Sequence, residues 1–310
     1  MNHDDTLYEL IDRIREHITR AEKQYVLLND REKWLSLASA IYIIEDTSSA
    51  IEYYLSENFP SENSGKYLFI YGLLQACFLQ QDAIRAISQA LFERDIDYKE
   101  NYPSAYSIRE LRNRVAGHPI SKKGGEYIQI SQLSINKESF QYLISEVDQD
   151  KTRFINVNII RVIKDMQRCA QDILKEIVEK LDLEESEFME KYKAIKIANI
   201  FSQLSFAREK VLCDPLFKDA EYRHVKRMVK ECEEELTRRY GTIEALDTYK
   251  NELDDIHALF DLIDNGLGEV RTDTVSQIEH WLFELLFVKL SDLAKLCTET
   301  DLIFSGEAPV

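Results

Sequence analysis

The segment Ile108-Arg109-Glu110-Leu111-Arg112-Asn113-Arg114-Val115-Ala116-Gly117-His118-Pro119 gathers three arginines and a histidine within ten residues. With Lys122 and Lys123 added and only Glu110 opposing, it is an island of positive charge in a chain of 39 basic and 56 acidic residues, net −17. Arg114 stands four residues before His118, so the two can share a helix face. Arg112 stands six before it, about 9 Å along a helix axis and within reach of a long guanidinium. A guanidinium fork grips phosphate oxygens, and an imidazole titrates near neutrality. Together they are the minimum equipment for cleaving RNA without a metal. His118 also precedes Pro119, and a residue before proline is pushed out of the α region. The helix bearing the arginines should therefore stop there. The same placement has a purely structural meaning: His118 capping the last carbonyls, and Arg112 paired with Glu110 or an acid on the first helix.

Other candidates carry less chemistry. Gln80, Gln81 and Asp82 interrupt an apolar helix, and Gln80 falls on the stripe of Leu73, Cys77, Ile84 and Ile87. Such a polar group either meets the motif helix, as support behind it or as a dimer contact, or is a solvated stretch. His224, His257 and His280 lie on separate helices without H-x-x-x-H or H-E-x-x-H spacing, so neither a metal nor a cofactor is expected. Gly266 and Gly268 lack the lysine and hydroxyl residue of a phosphate loop. Lys191, Lys193 and Lys196 read as a solvated face.

The elements that must position these residues are helical. Leu7, Ile11, Ile14 and Ile18 recur at helical spacing, and Leu35–Leu55, Tyr67–Glu93 and a helix opening at Pro103 come after them. Tyr127 to Ile135 is β-branched-rich and Phe140–Val147 reads as its return strand, one small hairpin. Ile155–Leu183 continues as a long helix with Ile159, Ile163, Met166, Ala170, Ile173 and Ile177 on one stripe. Five acids within Asp182–Glu190 mark the domain boundary, and four helical segments lie beyond it: Glu187–Cys213, Pro215–Arg239, Ile243–Ile263 and Thr274–Thr298. Nine glycines and five prolines are too few for an all-β fold with many tight turns. The fold expected is all-α: a helical domain over 1–182 with a small hairpin, then a helical bundle over 185–310. Five isolated cysteines, an acidic start and no apolar run of membrane length predict a cytoplasmic protein with reduced thiols.

Arg112-Asn113 followed by His118, with five residues between the arginine and the histidine, resembles the signature of the HEPN superfamily (higher eukaryote and prokaryote nucleotide-binding domains). The Gly117-His118-Pro119 ending and the helical frame agree with it. Tyr71-Gly72-Leu73-Leu74-Gln75-Ala76 and Gln80-Gln81-Asp82-Ala83 also look like the central helix of such proteins. The resemblance covers roughly residues 1–182. It implies a homodimer whose paired motifs face one cleft. It also implies a metal-independent endoribonuclease, a bacterial toxin or phage-defence effector working with an antitoxin or other partner protein. On this reading His118 is the acid or base at the ribose 2′-hydroxyl, Arg112 holds the scissile phosphate and Asn113 orients the pair. Arg114, Lys122 and Lys123 track the flanking RNA backbone. The alternative, from the same family, is a non-catalytic nucleotide-binding or protein-interaction module, which the net charge of −17 favours.

Overall fold

The computed structural model describes residues 5–117, 126–146, 151–244, 246–265 and 272–307. The described chain is mostly helical with one small antiparallel sheet. It divides into two compact units, Met1–Ile18 with Leu27–Leu181, and Thr19–Val26 with Asp182–Val310. The division falls inside two helices, α2 (Ala21–Asn29) between Val26 and Leu27 and α7 (Ile159–Lys193) within the acidic run. No described helix is long and apolar enough to cross a membrane.

In the first unit, α1 (Leu7–Ile18) buries Leu10, Ile11, Ile14 and Ile18 at helical spacing. After α2, whose residues up to Val26 belong to the second unit, comes α3 (Arg31–Ser56), which starts earlier than its apolar stripe suggests. Asp30 caps it, its carboxylate accepting from the Lys33 N–H at 3.0 Å, which satisfies a donor the first turn would otherwise leave open. The long α4 (Asn63–Phe92) packs on α3 and buries Ile70, Leu73, Leu74, Cys77, Ile84 and Ile87. A short α5 (Tyr98–Asn101) leads into α6 (Pro103–Arg112), where Pro103 occupies the first turn and lacks only a hydrogen the helix would not have used. Ala105 and Ile108 turn α6 onto α4.

The expected hairpin is one strand short of the observed sheet. Strands β1 (Glu126–Ile130), β2 (Ser139–Glu146) and β3 (Lys151–Asn158) pair antiparallel in that order. Ile128 faces Ile144, and Tyr142 faces Ile155. Phe140, Tyr142 and Ile144 alternate into the core. Residues 155–158, read from the sequence as the start of the long helix, belong to β3. Asn158 ends the strand and caps α7, its Oδ1 accepting from the Arg161 N–H at 2.9 Å.

In the second unit the acidic run lies within α7 and does not start a new helix. A 3₁₀ turn, Ile197–Phe201, then precedes α8 (Leu204–Cys213). Helices α9 (Lys218–Tyr240), α10 (Asp247–Asn265) and α11 (Thr272–Ser305) complete it around Val225, Met228, Cys232, Leu236, Leu253, Ile256, Leu290 and Cys297.

Candidate functional site

Helices α4 and α6 build the site by matching side chains at helical spacing. Gln75, Phe78 and Asp82 stand on one stripe of α4, and Arg109 and Arg112 stand three apart on α6. Arg109 Nη1 donates to Asp82 Oδ1 at 2.7 Å, and Arg112 donates from Nε and Nη2 to Gln75 Oε1 at 2.9 and 2.7 Å. The later arginine meets the earlier α4 residue, so the helices run antiparallel. Phe78 lies beneath both guanidiniums, its ring centroid 4.1 Å from the Arg109 carbon and 4.4 Å from that of Arg112. The quadrupole of the ring face stabilises each cation.

Backbone geometry changes at the motif. The α-helix ends at Arg112, and Asn113–Gly117 forms a single π-helical turn, a rare form that inserts an extra residue and swings the side chains beyond it to a new direction. Asn113 stays beside Arg112, its Oδ1 accepting from Nη1 at 3.1 Å. Val115 buries its side chain and anchors the turn. Gly117 closes over the arginine: a Cβ there would sit 3.0 Å from Arg112 Nη1. Arg114 points outward and is exposed, without an ion-pair partner among the described residues. His118, Lys122 and Lys123 lie outside the described residues.

The electrostatics of the two arginines differ. Arg109 is neutralised by Asp82. Arg112 is not paired with Glu110 or with an acid of the first helix: its described partners are the neutral amides of Gln75 and Asn113. A guanidinium has five N–H donors, and three are engaged here, which leaves two for an incoming anion. It is half-buried, so its charge is only partly screened by water.

The polar trio of α4 does not act as one group. The Gln81 side chain reaches α6, donating to the Ala105 carbonyl at 2.9 Å, and the Gln81 backbone carbonyl accepts from the Tyr98 hydroxyl at 2.8 Å. Asp82 meets the motif helix through Arg109. Gln80 faces away from the motif and donates to Ser48 Oγ on α3 at 3.0 Å. Both glutamines are fully buried, so neither is a solvated stretch. Behind them, burial pushes the Cys77 thiol up to about 12 and the Tyr98 phenol upward as well, which keeps both neutral. Sequence reasoning gave no role to Gln75 and Phe78. The signal was available: they stand seven and four residues before Asp82, on its face of α4, and the two arginines on α6 repeat the spacing.

The three lysines read as one solvated face are separated. Lys193 pairs with Glu190, Lys191 lies over the Tyr192 ring, and Lys196 is half-buried and donates to the Asp301 carbonyl. No family model, curated protein or solved structure matches this chain.

Proposed function

We propose that the first unit is an HEPN-type endoribonuclease that cleaves RNA without a metal and acts as a homodimer in bacterial stress or phage defence. The observation that carries this reading is Arg112, a half-buried cation fixed by a neutral amide oxygen, an aromatic face and a glycine, with no carboxylate to cancel it among the described residues. Such a group is preorganised for an anion and costs little to reorganise when one arrives. Its place in the motif puts the charge six residues before His118, the chain's candidate for proton transfer.

The chemistry is transesterification. The ribose 2′-oxygen attacks phosphorus, and a His118 imidazole takes its proton. Arg112 neutralises the charge growing on the phosphoryl oxygens. The 5′-oxygen leaves with a proton from a second imidazole or from water. The products end in a 2′,3′-cyclic phosphate and a 5′-hydroxyl, so the substrate must be RNA. One chain supplies a single Arg112/His118 pair, and a two-fold dimer supplies both an acid and a base. On α4, Leu68, Tyr71 and Leu79 are exposed beside Gln75, and nothing crowds Gly72, which offers an apolar strip next to the site for a second copy.

The test is RNA cleavage in EDTA by the full chain, compared with Arg112→Ala and His118→Ala. Cyclic-phosphate products, lost in both variants while both stay folded, are the expected result. Cleavage that needs magnesium, or that survives both substitutions, refutes it. A second reading, a binding module without catalysis, is favoured by the two Arg112 N–H groups already engaged in tying α6 to α4. It predicts RNA binding with no cleavage, and sedimentation decides the dimer for either.

A further inference from the structure

The second unit holds a cavity of about 460 Å³ that the ribonuclease reading does not use. Its wall combines cations, Lys23, Lys191, Arg238 and Arg239, with the aromatic rings of Phe188, Tyr192 and Tyr240. The rings form a continuous cluster, with Phe188 5.2 Å from Tyr192 and 6.1 Å from Tyr240.

The charges of this wall run against those of the chain. Glu184 and Glu185 each bond a cation, Lys23 and Arg20. Glu235 bonds both Arg238 and Arg239. The Asp301 carboxylate accepts from the Ile197 and Ala198 N–H groups at 3.0 and 2.9 Å and stands 3.8 Å from Arg239 Nη1. Lys196 donates to the carbonyl of the same residue. The lining itself thus holds four cations, Lys23, Lys191, Arg238 and Arg239, and two carboxylates, Glu184 and Glu185, in a protein whose net charge is −17. Two features leave capacity for a ligand. Arg239 is fully buried, yet its Nη1 has no hydrogen-bond partner. Lys191 is exposed on the rim over the Tyr192 ring, with no ion pair among the described residues. A buried, incompletely bonded guanidinium is costly unless something supplies the missing acceptor.

We propose that this cavity binds a small organic anion carrying a flat ring. The anionic group would meet Lys191 at the rim, in the field of the buried Arg239 guanidinium behind it, and the ring would lie on the aromatic wall. The volume falls within the range of small-molecule pockets, and the lining combines apolar surface with a few convergent polar groups, as such sites require. A mononucleotide and an aromatic carboxylate share this chemistry.

The experiment is calorimetric titration of the full-length protein with a 5′-mononucleotide and with salicylate, alongside inorganic phosphate and an uncharged nucleoside. At least one of the two ring-bearing anions should bind, and bind more tightly than both controls. Lys191→Glu should weaken that binding about tenfold or more, as expected for one charge-assisted contact. Lys191 is exposed, so the variant should melt like the wild type. Arg112→Ala should leave the binding unchanged, which separates this cavity from the site on α6. No heat with either ring-bearing anion, equal binding of phosphate or nucleoside, or an unaffected Lys191→Glu would each overturn the proposal.

Discussion

At Arg112 the chemistry turns on one atom of its partner. Gln75 presents a neutral oxygen where a glutamate would present a charged one. Gln75→Glu would strengthen the tie between α4 and α6 by turning it into an ion pair, and would cancel the charge offered to phosphate. We expect an unchanged or higher melting temperature and RNA cleavage reduced about tenfold or more, roughly 1.4 kcal/mol of transition-state stabilisation. If Arg112 only ties two helices together, the variant will keep whatever activity the wild type has, and a cleavage assay beside a thermal melt shows which. Gly117→Ala tests the same fork sterically. The new methyl group would push the tip of the long Arg112 side chain off its fixed position by a few tenths of an ångström, so stability should change by less than about 1 kcal/mol while cleavage falls. Thiols give a second prediction at this scale. Burial pushes Cys77 and Cys169 up to about 12, from an ordinary value near 9. Both then stay protonated in the folded chain at a pH where the unfolded chain ionises them. Their contribution to stability is complete below pH 9 and is lost as pH climbs from 9 toward 12. At pH 8 a thiol reagent should modify the exposed Cys213 quickly and these two only on unfolding. Rapid reaction of Cys77 in the native protein would refute that.

Among the elements, what the sequence displayed and what it hid have separate causes. Helices with one apolar stripe, such as α1 and α7, were legible because burial tracks the stripe residue by residue. The third strand was not, because Ile155, Ile159 and Ile163 are spaced by four and mimic a continuing helix. The contrary signal was the capping asparagine at 158, a residue that starts helices more readily than it sits inside them. Gln80 and Gln81 were legible as polar groups needing partners, but their neighbours in the chain say nothing of which partner each meets. That depends on α3 and α6 lying on different sides of α4. The same limit hid the buried network of the second unit, in which Asp301 comes from far along the chain to meet the i,i+4 pair of Glu235 and Arg239. Removing one partner of a buried ion pair strands the rest. Asp301→Ala would also uncap the turn at Ile197–Phe201, so a loss of about 3–5 kcal/mol is expected in denaturant unfolding. A loss below about 1 kcal/mol would mean that water replaces the carboxylate and that the network carries little.

At the scale of the whole molecule, two separate clusters of apolar side chains form two cores, one in each unit. The Arg112 site draws only on the first, and the cavity beside Arg239 only on the second. Each core is large enough to melt as a unit of its own. Calorimetry of the full chain should therefore resolve two transitions. Ile84 is completely buried in the first core and Leu290 in the second. Ile84→Ala and Leu290→Ala should each cost about 2–5 kcal/mol, the range for deleting a large buried aliphatic chain. Each should lower one transition and leave the other in place, since distant sites without shared partners act additively. A ring-bearing anion should raise only the transition that Leu290→Ala lowers, because ligand binding stabilises the unit that binds it. A single transition lowered equally by both substitutions would show that the cores unfold together. A cleavage defect in Ile84→Ala would then carry no information about which unit houses the chemistry.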